Sequence, residues 1–218
     1  MLEPELLLDG YRHGIFPMAV NKAGHIGWFS PDPRAVIPLD DRFHVSHGLR
    51  RVWKRCVIEA GGAVAAVPSG KGRGVAAGTA ASTGFVITFD TDFPAVIREC
   101  AKRREGTWIS RQIIESYCNL YRLGHAHSVE TRLNDKLVGG LYGVHIGGAF
   151  FGESMFHRVP DASKVALVAL VERLRERGFV LLDTQWQTPH LRQFGTYEIT
   201  KREYLWRLQR AVAMGCRF

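Results

Sequence analysis

Between Ala126 and Met155 the chain offers three extended segments separated by two tight-turn signals, and no other feature limits the fold so strongly. Ala126–Leu133 runs through Asn134-Asp135 into Leu137–Ile146, and Gly147-Gly148 leads into Ala149–Met155. Asn, Asp and Gly tolerate the positive φ that tight hairpins need, so this spacing predicts an antiparallel meander. Helical patterns flank it. Asp92 to Arg104 reads as a helix with Pro94 in its first turn, and Ser110 caps a second, with Ile113, Ile114, Tyr117 and Leu120 at helical spacing. After the meander, Asp161 stands where it can cap a helix over 162–177, whose buried stripe is Val165, Val168, Leu170, Val171 and Leu174. A buried strand, Phe179–Gln185, and a helix over about 201–213 follow. This order predicts an α+β fold, a sheet with helices packed on it.

The first part of the chain is of another kind. Residues 4–14 read as a short helix, Ile15 to Pro38 is rich in Pro, Gly and aromatics, and Val45 to Arg55 reads as a basic amphipathic helix. A break near residue 57 predicts a small, loop-rich N-terminal domain over 1–57 and a main domain over 85–218. Between them lies an Ala/Gly-rich stretch, 58–84. Of residues 59–84, eight are Ala and seven are Gly, which leaves little side chain to bury and predicts a flexible insertion or loose hairpin. Its glycines lack the G-x-x-x-x-G-K-[ST] spacing of a phosphate-cradling loop.

Composition narrows the partners. Lys and Arg number 29 against 21 Asp and Glu, a net charge of +8, which favours a polyanionic partner such as nucleic acid. No run of 18 uncharged apolar residues exists to span a membrane, and the start Met1-Leu2-Glu3-Pro4-Glu5 is acidic, unlike a signal peptide. The expectation is a cytoplasmic protein, without membrane attachment. Cys56, Cys100, Cys118 and Cys216 form no C-x-x-C pair, and the nine histidines show no H-E-x-x-H, so no metal site is expected. A serine hydrolase would want G-x-S-x-G, which is absent.

Three local features carry chemistry. In Leu181-Leu182-Asp183-Thr184-Gln185 an apolar strand turns polar at its end, and the two-residue period points Asp183 and Gln185 the same way. In such a pair the carboxylate can orient the amide, or hold an amine and tune its protonation, or both groups can simply satisfy the backbone of a turn or loop. Glu153 sits in the aromatic strand Phe150–Phe156, where a carboxylate must be paired or protonated. Its partner is either one of the many arginines or a cation that arrives with a substrate. Trp28-Phe29 and Trp108 are flat rings near basic residues, suited either to base stacking or to the core.

Taken together, these segments resemble the leucyl/phenylalanyl-tRNA–protein transferases of bacteria. The resemblance runs through Tyr11-Arg12-His13-Gly14-Ile15-Phe16-Pro17, Trp28-Phe29-Ser30-Pro31-Asp32-Pro33-Arg34 and Glu105-Gly106-Thr107-Trp108-Ile109. It continues in Leu123–Ser128, Val138–Gly143, Gly152-Glu153-Ser154-Met155-Phe156, Ala162-Ser163-Lys164 and Leu182–Gln185 with His190-Leu191. It implies a main domain similar to the GNAT acyltransferases, with an antiparallel or mixed sheet flanked by helices. It implies transfer of Leu or Phe, less readily Met, from aminoacyl-tRNA to proteins with N-terminal Arg or Lys, which creates a degradation signal. No metal or organic cofactor is implied, and a monomer is the expectation for its assembly.

The resemblance also assigns residues. Asp183, Gln185 and Glu153 take the catalytic places, Gln185 contacting the amine, Asp183 polarising or orienting it, and Glu153 serving the basic acceptor residue or its amine. The aminoacyl pocket maps onto Leu141, Phe150, Met155, Leu170, Leu174 and Leu182. Trp108, Phe29 and Tyr117 take adenosine-binding places, with Phe29 standing where the family often carries tryptophan. The tRNA arm is expected on Arg50, Arg51, Lys54, Arg55, Arg103 and Arg104. An acetyl-CoA-dependent enzyme on the same fold would need a glycine-rich pyrophosphate loop, and Val159-Pro160-Asp161-Ala162-Ser163 is not one.

Overall fold

The structure is a computed structural model that describes residues 1–21, 23–60, 63–66 and 84–218. In chain order the elements are α1 (Pro4–Arg12), β1 (Phe16–Ala19), β2 (Ile26–Phe29), β3 (Arg34–Ile37), α2 (His47–Trp53), β4 (Val57–Ala60), β5 (Ala63–Ala66) and β6 (Val86–Phe89). Then come α3 (Phe93–Ala101), α4 (Arg111–Arg122), β7 (Ala126–Leu133), β8 (Lys136–Ile146), β9 (Ala149–His157), α5 (Ala162–Glu176), β10 (Leu181–Gln185), α6 (Pro189–Arg192), β11 (Tyr197–Ile199) and α7 (Lys201–Val212).

Among the described residues the strands form a β1–β2 hairpin and one mixed sheet of nine in the order β11-β3-β10-β9-β8-β7-β6-β4-β5. The meander β7-β8-β9 is antiparallel, as its turns predict, and Asn134 and Asp135 adopt φ of 49° and 60°. β10 joins β9 in parallel after the α5 crossover, a connection too long for a hairpin. The architecture is therefore α+β, a mixed sheet flanked by helices.

Side chains alternate between two layers, as the period of two requires. Val36, Tyr142, Val144, Phe151 and Leu181 face a core shared with residues of α1, α3, α4 and α7. Their neighbours Ile37, Leu141, Phe150 and Leu182 face the core under α2 and α5. Ser46, Asp92 and Ser110 accept the capping N–H of Leu49, Ala95 and Ile113. Asp161 does not cap α5: it stands at φ 67° and its carboxylate accepts a bond from Lys164 instead.

The strand order bears on two expectations of organisation. Residues 1–57 are not separated from the sheet, because β3 lies between β10 and β11 and pairs with both. The stretch expected to be flexible, 58–84, lies largely outside the described residues. Its start is the antiparallel β4–β5 hairpin at the sheet edge, with β4 parallel to β6.

Candidate active site

The cavity forms where β9 and β10 part. Their parallel pairing ends at Asp183↔Phe151, and the residues just beyond, Gly152 to Met155 and Thr184 to Trp186, line a hollow of about 530 Å³. Two irregularities widen the gap. A register shift in β8–β9 makes Tyr142 oppose Ser154 and Gly143 oppose Gly152, so Glu153 is an extra residue with no partner. A second shift falls between Asp183 and Gln185, and Gln185 has φ 58°, the left-handed region a non-glycine enters only where its surroundings hold it.

One end of the hollow is aliphatic. Leu141, Met155, Leu170 and Leu182 line it as expected, joined by Ile37 and Leu167. Phe150 and Leu174 do not line it. Both are fully buried in the core behind, where the Phe150 ring packs 5.4 Å from that of Phe218. The other end is polar and aromatic, with Glu153, Gln185, Trp108, Trp186, Phe16 and Met18. Trp186 is 44% exposed and meets Phe16 edge-on at 5.2 Å. His190 and Leu191 complete one rim.

Glu153 is held from three sides. Tyr11 Oη donates to its Oε1 at 2.7 Å, Tyr117 Oη to Oε2 at 3.4 Å, and Gln185 Nε2 to Oε1 at 3.4 Å. The Tyr11 and Tyr117 hydroxyls also meet each other, and with one proton on each phenol Tyr117 donates either to Tyr11 or to Glu153. Burial pushes the Glu153 carboxyl up to about 8, and the Asp183 charge adds to this against the two tyrosine bonds. Burial thus favours the neutral form of Glu153. Tyr117, expected at the adenosine, is fully buried on this carboxyl and has no open face for a base.

Asp183 does not line the cavity. It is fully buried and accepts four bonds: Arg34 Nε at 2.9 Å, Arg34 Nη2 at 2.6 Å, Tyr204 Oη at 2.8 Å and the Gln185 backbone N–H at 2.9 Å. Burial alone would lower the Arg34 pKa, but the Asp183 carboxylate outweighs it and raises it. The two acids thus differ in partners, Asp183 ion-paired to Arg34 and Glu153 held by two tyrosines and an amide.

The remaining expected residues are spread out. Trp108 lines the cavity, whereas Phe29 packs against the core beside it, 6.3 Å from Phe16. Arg103 stands at the rim and donates to Ser154 Oγ at 2.8 Å, and Arg104 is exposed. Arg50, Arg51, Lys54 and Arg55 are exposed on and just after α2. Among the described residues no cluster of His, Cys, Asp or Glu is placed to hold a metal, and no helix is long and apolar enough to cross a membrane.

Reading side chains one strand at a time misses Arg34, Tyr11, Tyr204 and Trp186. A buried Asp at a strand end implies a buried cation, but which arginine supplies it depends on β3 pairing with β10, 149 residues away in sequence.

An aliphatic cavity that also carries a buried carboxyl and an amide can hold an apolar group beside a polar one, as an enzyme that transfers such a group would. A family model described as leucyl/phenylalanyl-tRNA protein transferase matches residues 76–209, and one for the N-terminal domain of the same proteins matches residues 1–32. The chain belongs to the leucyl/phenylalanyl-tRNA–protein transferase family and is an aminoacyltransferase. It is 48% identical to the leucyl/phenylalanyl-tRNA–protein transferase of Akkermansia muciniphila, over 97% of this chain and 96% of that protein. It is 49% identical to that of Gloeobacter violaceus, over 100% and 97%. A ribosomal-protein-alanine N-acetyltransferase from Brucella melitensis biovar Abortus 2308 is similar in structure, with 14% identity, 49% and 84% coverage and a TM-score of 0.37.

Proposed function

We propose that this enzyme transfers Leu or Phe, and less readily Met, from aminoacyl-tRNA to the α-amine of proteins with N-terminal Arg or Lys, marking them for degradation. The observation that carries this reading is the joining of an aliphatic hollow to Glu153 and Gln185 in one cavity. Leu141, Met155, Leu170 and Leu182 give an esterified apolar side chain a place to leave water, with Phe150 and Leu174 behind that wall. A methyl or two is worth only about 1–3 kcal/mol in such a pocket, so related donors are accepted together. Trp108 offers a face to the terminal adenosine, with Phe29 beside it. Arg50, Arg51, Lys54, Arg55, Arg103 and Arg104 offer cations to the tRNA phosphates.

The amine attacks the ester carbonyl. The C–O bond to the ribose breaks, an amide forms, and the ribose hydroxyl leaves with a proton that the amine has lost. Aminolysis of an ester is downhill, so positioning supplies much of the acceleration. Gln185 orients the amine by hydrogen bonding, since an amide is too weak a base to take the proton. Glu153, whose carboxyl burial pushes up to about 8, can give its proton to water and, as the carboxylate, pair with the cationic side chain of the acceptor's Arg or Lys, while the α-amine attacks in its neutral form. The reaction as written needs no cofactor and one copy of the chain, in the cytoplasm where charged tRNA is found.

The test is a transfer assay with radiolabelled Leu-tRNA and two acceptors that differ only in their first residue. Label is expected on the protein beginning with Arg and not on the one beginning with Ala. Equal labelling of both, or of neither, refutes the acceptor assignment.

A further inference from the structure

We propose that Arg34 is a positioning residue for this reaction: through Asp183 it fixes the Gln185 backbone, and so aims the Gln185 amide into the cavity. The inference rests on the transferase reading. A carboxylate offers about four lone-pair sites, and Asp183 has all of them engaged, by Arg34 twice, by Tyr204 and by the Gln185 N–H. It is fully buried and lines no part of the hollow. Asp183 has neither the access nor a spare lone pair to hold an amine. What it does reach is the backbone of Gln185, a residue at φ 58° just past a register shift. Left-handed backbone is disfavoured for a residue with a Cβ, so something must hold it, and the 2.9 Å bond from Asp183 Oδ1 is at hand.

Arg34 in turn fixes Asp183. Its planar fork meets both carboxylate oxygens, a geometry that sets the carboxylate's plane as well as its place. The guanidinium is itself clamped, 4.3 Å over the Tyr204 ring and 5.0 Å from the Phe16 ring, while Nη1 donates to the Gly14 carbonyl at 2.9 Å. Phe16 lines the cavity. One guanidinium therefore ties together the segment before β1, the end of β10 and α7, three pieces of chain far apart in sequence. The charges of Arg34 and Asp183 act in opposite directions on the Glu153 carboxyl, and what the pair fixes geometrically is where Gln185 points.

Arg34→Lys keeps the charge and loses the fork. We expect kcat to fall about 100-fold, the scale of a misplacement of roughly 1 Å, with KM for Leu-tRNA and for the acceptor within about threefold of wild type. The Gln185 amide should exchange its hydrogen at least about tenfold faster, because its acceptor is no longer held. Tyr204→Phe, which removes one bond to Asp183 and keeps the ring, is the milder variant and carries the test if Arg34→Lys does not fold. It should lower kcat about fivefold with the same unchanged KM. Wild-type kcat in the folded variants, or a loss confined to KM while the Gln185 amide stays protected, overturns the proposal. If the wild-type protein moves no amino acid to any acceptor, the transferase reading fails, and the Gln185 exchange rates still decide whether Arg34 sets that backbone.

Discussion

Glu153 is the residue whose chemistry most depends on its surroundings. Its ordinary pKa near 4.5 becomes about 8 in the folded protein, chiefly through burial. Between these values the folded chain holds a proton that the unfolded chain has released. The associated stability is complete below the lower value and is lost as pH rises through the higher one. Glu153→Gln keeps the shape and removes the titration. On warming at pH 5 and again at pH 9, the wild type should lose roughly 5–10 °C more of its Tm between the two than Glu153→Gln does. Parallel loss in both proteins would mean that Glu153 is charged in the folded state. That Glu153 needed a partner or a proton was readable from its aromatic strand. That its partners are two tyrosines, and among the described residues no arginine within salt-bridge reach, was not, because Tyr11 comes from α1 and Tyr117 from α4.

At the scale of elements, helices were more legible than short strands. α3, α4, α5 and α7 each carry an apolar stripe, and three of the four have a Ser, Thr or Asp that caps as its place suggests. β1, β2 and β11 are three or four residues long and carry no period long enough to read. α2 makes a prediction of its own. Its exposed face holds Arg50, Arg51 and, just after it, Lys54 and Arg55, and none of these has an ion-pair partner among the described residues. Free cations on one face are what phosphates meet. Replacing Arg51 and Lys54 together by Glu should weaken tRNA binding and flatten the slope of log K against log salt by roughly 1.5–2, about 0.9 for each phosphate of a duplex arm that is no longer neutralised. Fluorescence anisotropy with labelled tRNA over a range of KCl reads the slope, and an unchanged slope would place the tRNA on another face.

For the molecule as a whole, the decisive fact is that a strand from the first forty residues sits inside the large sheet. β3 covers β10 on one side and β11 on the other, and it brings Arg34 to Asp183. Removing it leaves β11 without a neighbour, opens one edge of β10 and leaves a buried carboxylate without its cation, and breaking such a pair from one side costs about 3–5 kcal/mol by itself. A fragment of residues 85–218 should therefore show no cooperative thermal transition by circular dichroism and poorly dispersed amide resonances. A sharp transition in the fragment would mean that the sheet is complete without β3.

The sequence by itself determined the local elements, because hydrophobic period, capping residues and turn residues act over a few positions of chain. It also determined which side chains are chemically unusual, since a carboxylate in an aromatic strand or at the end of an apolar one is anomalous wherever it lies. Only the tertiary structure decided which groups meet. Asp183 faces Arg34 and not the cavity, Tyr117 holds a carboxyl and not a base, and Phe150 stands behind the pocket wall and not in it. Contact between residues 149 positions apart is set by strand order and register, and a shift of one residue, as between Asp183 and Gln185, redirects a side chain with no trace in the local pattern.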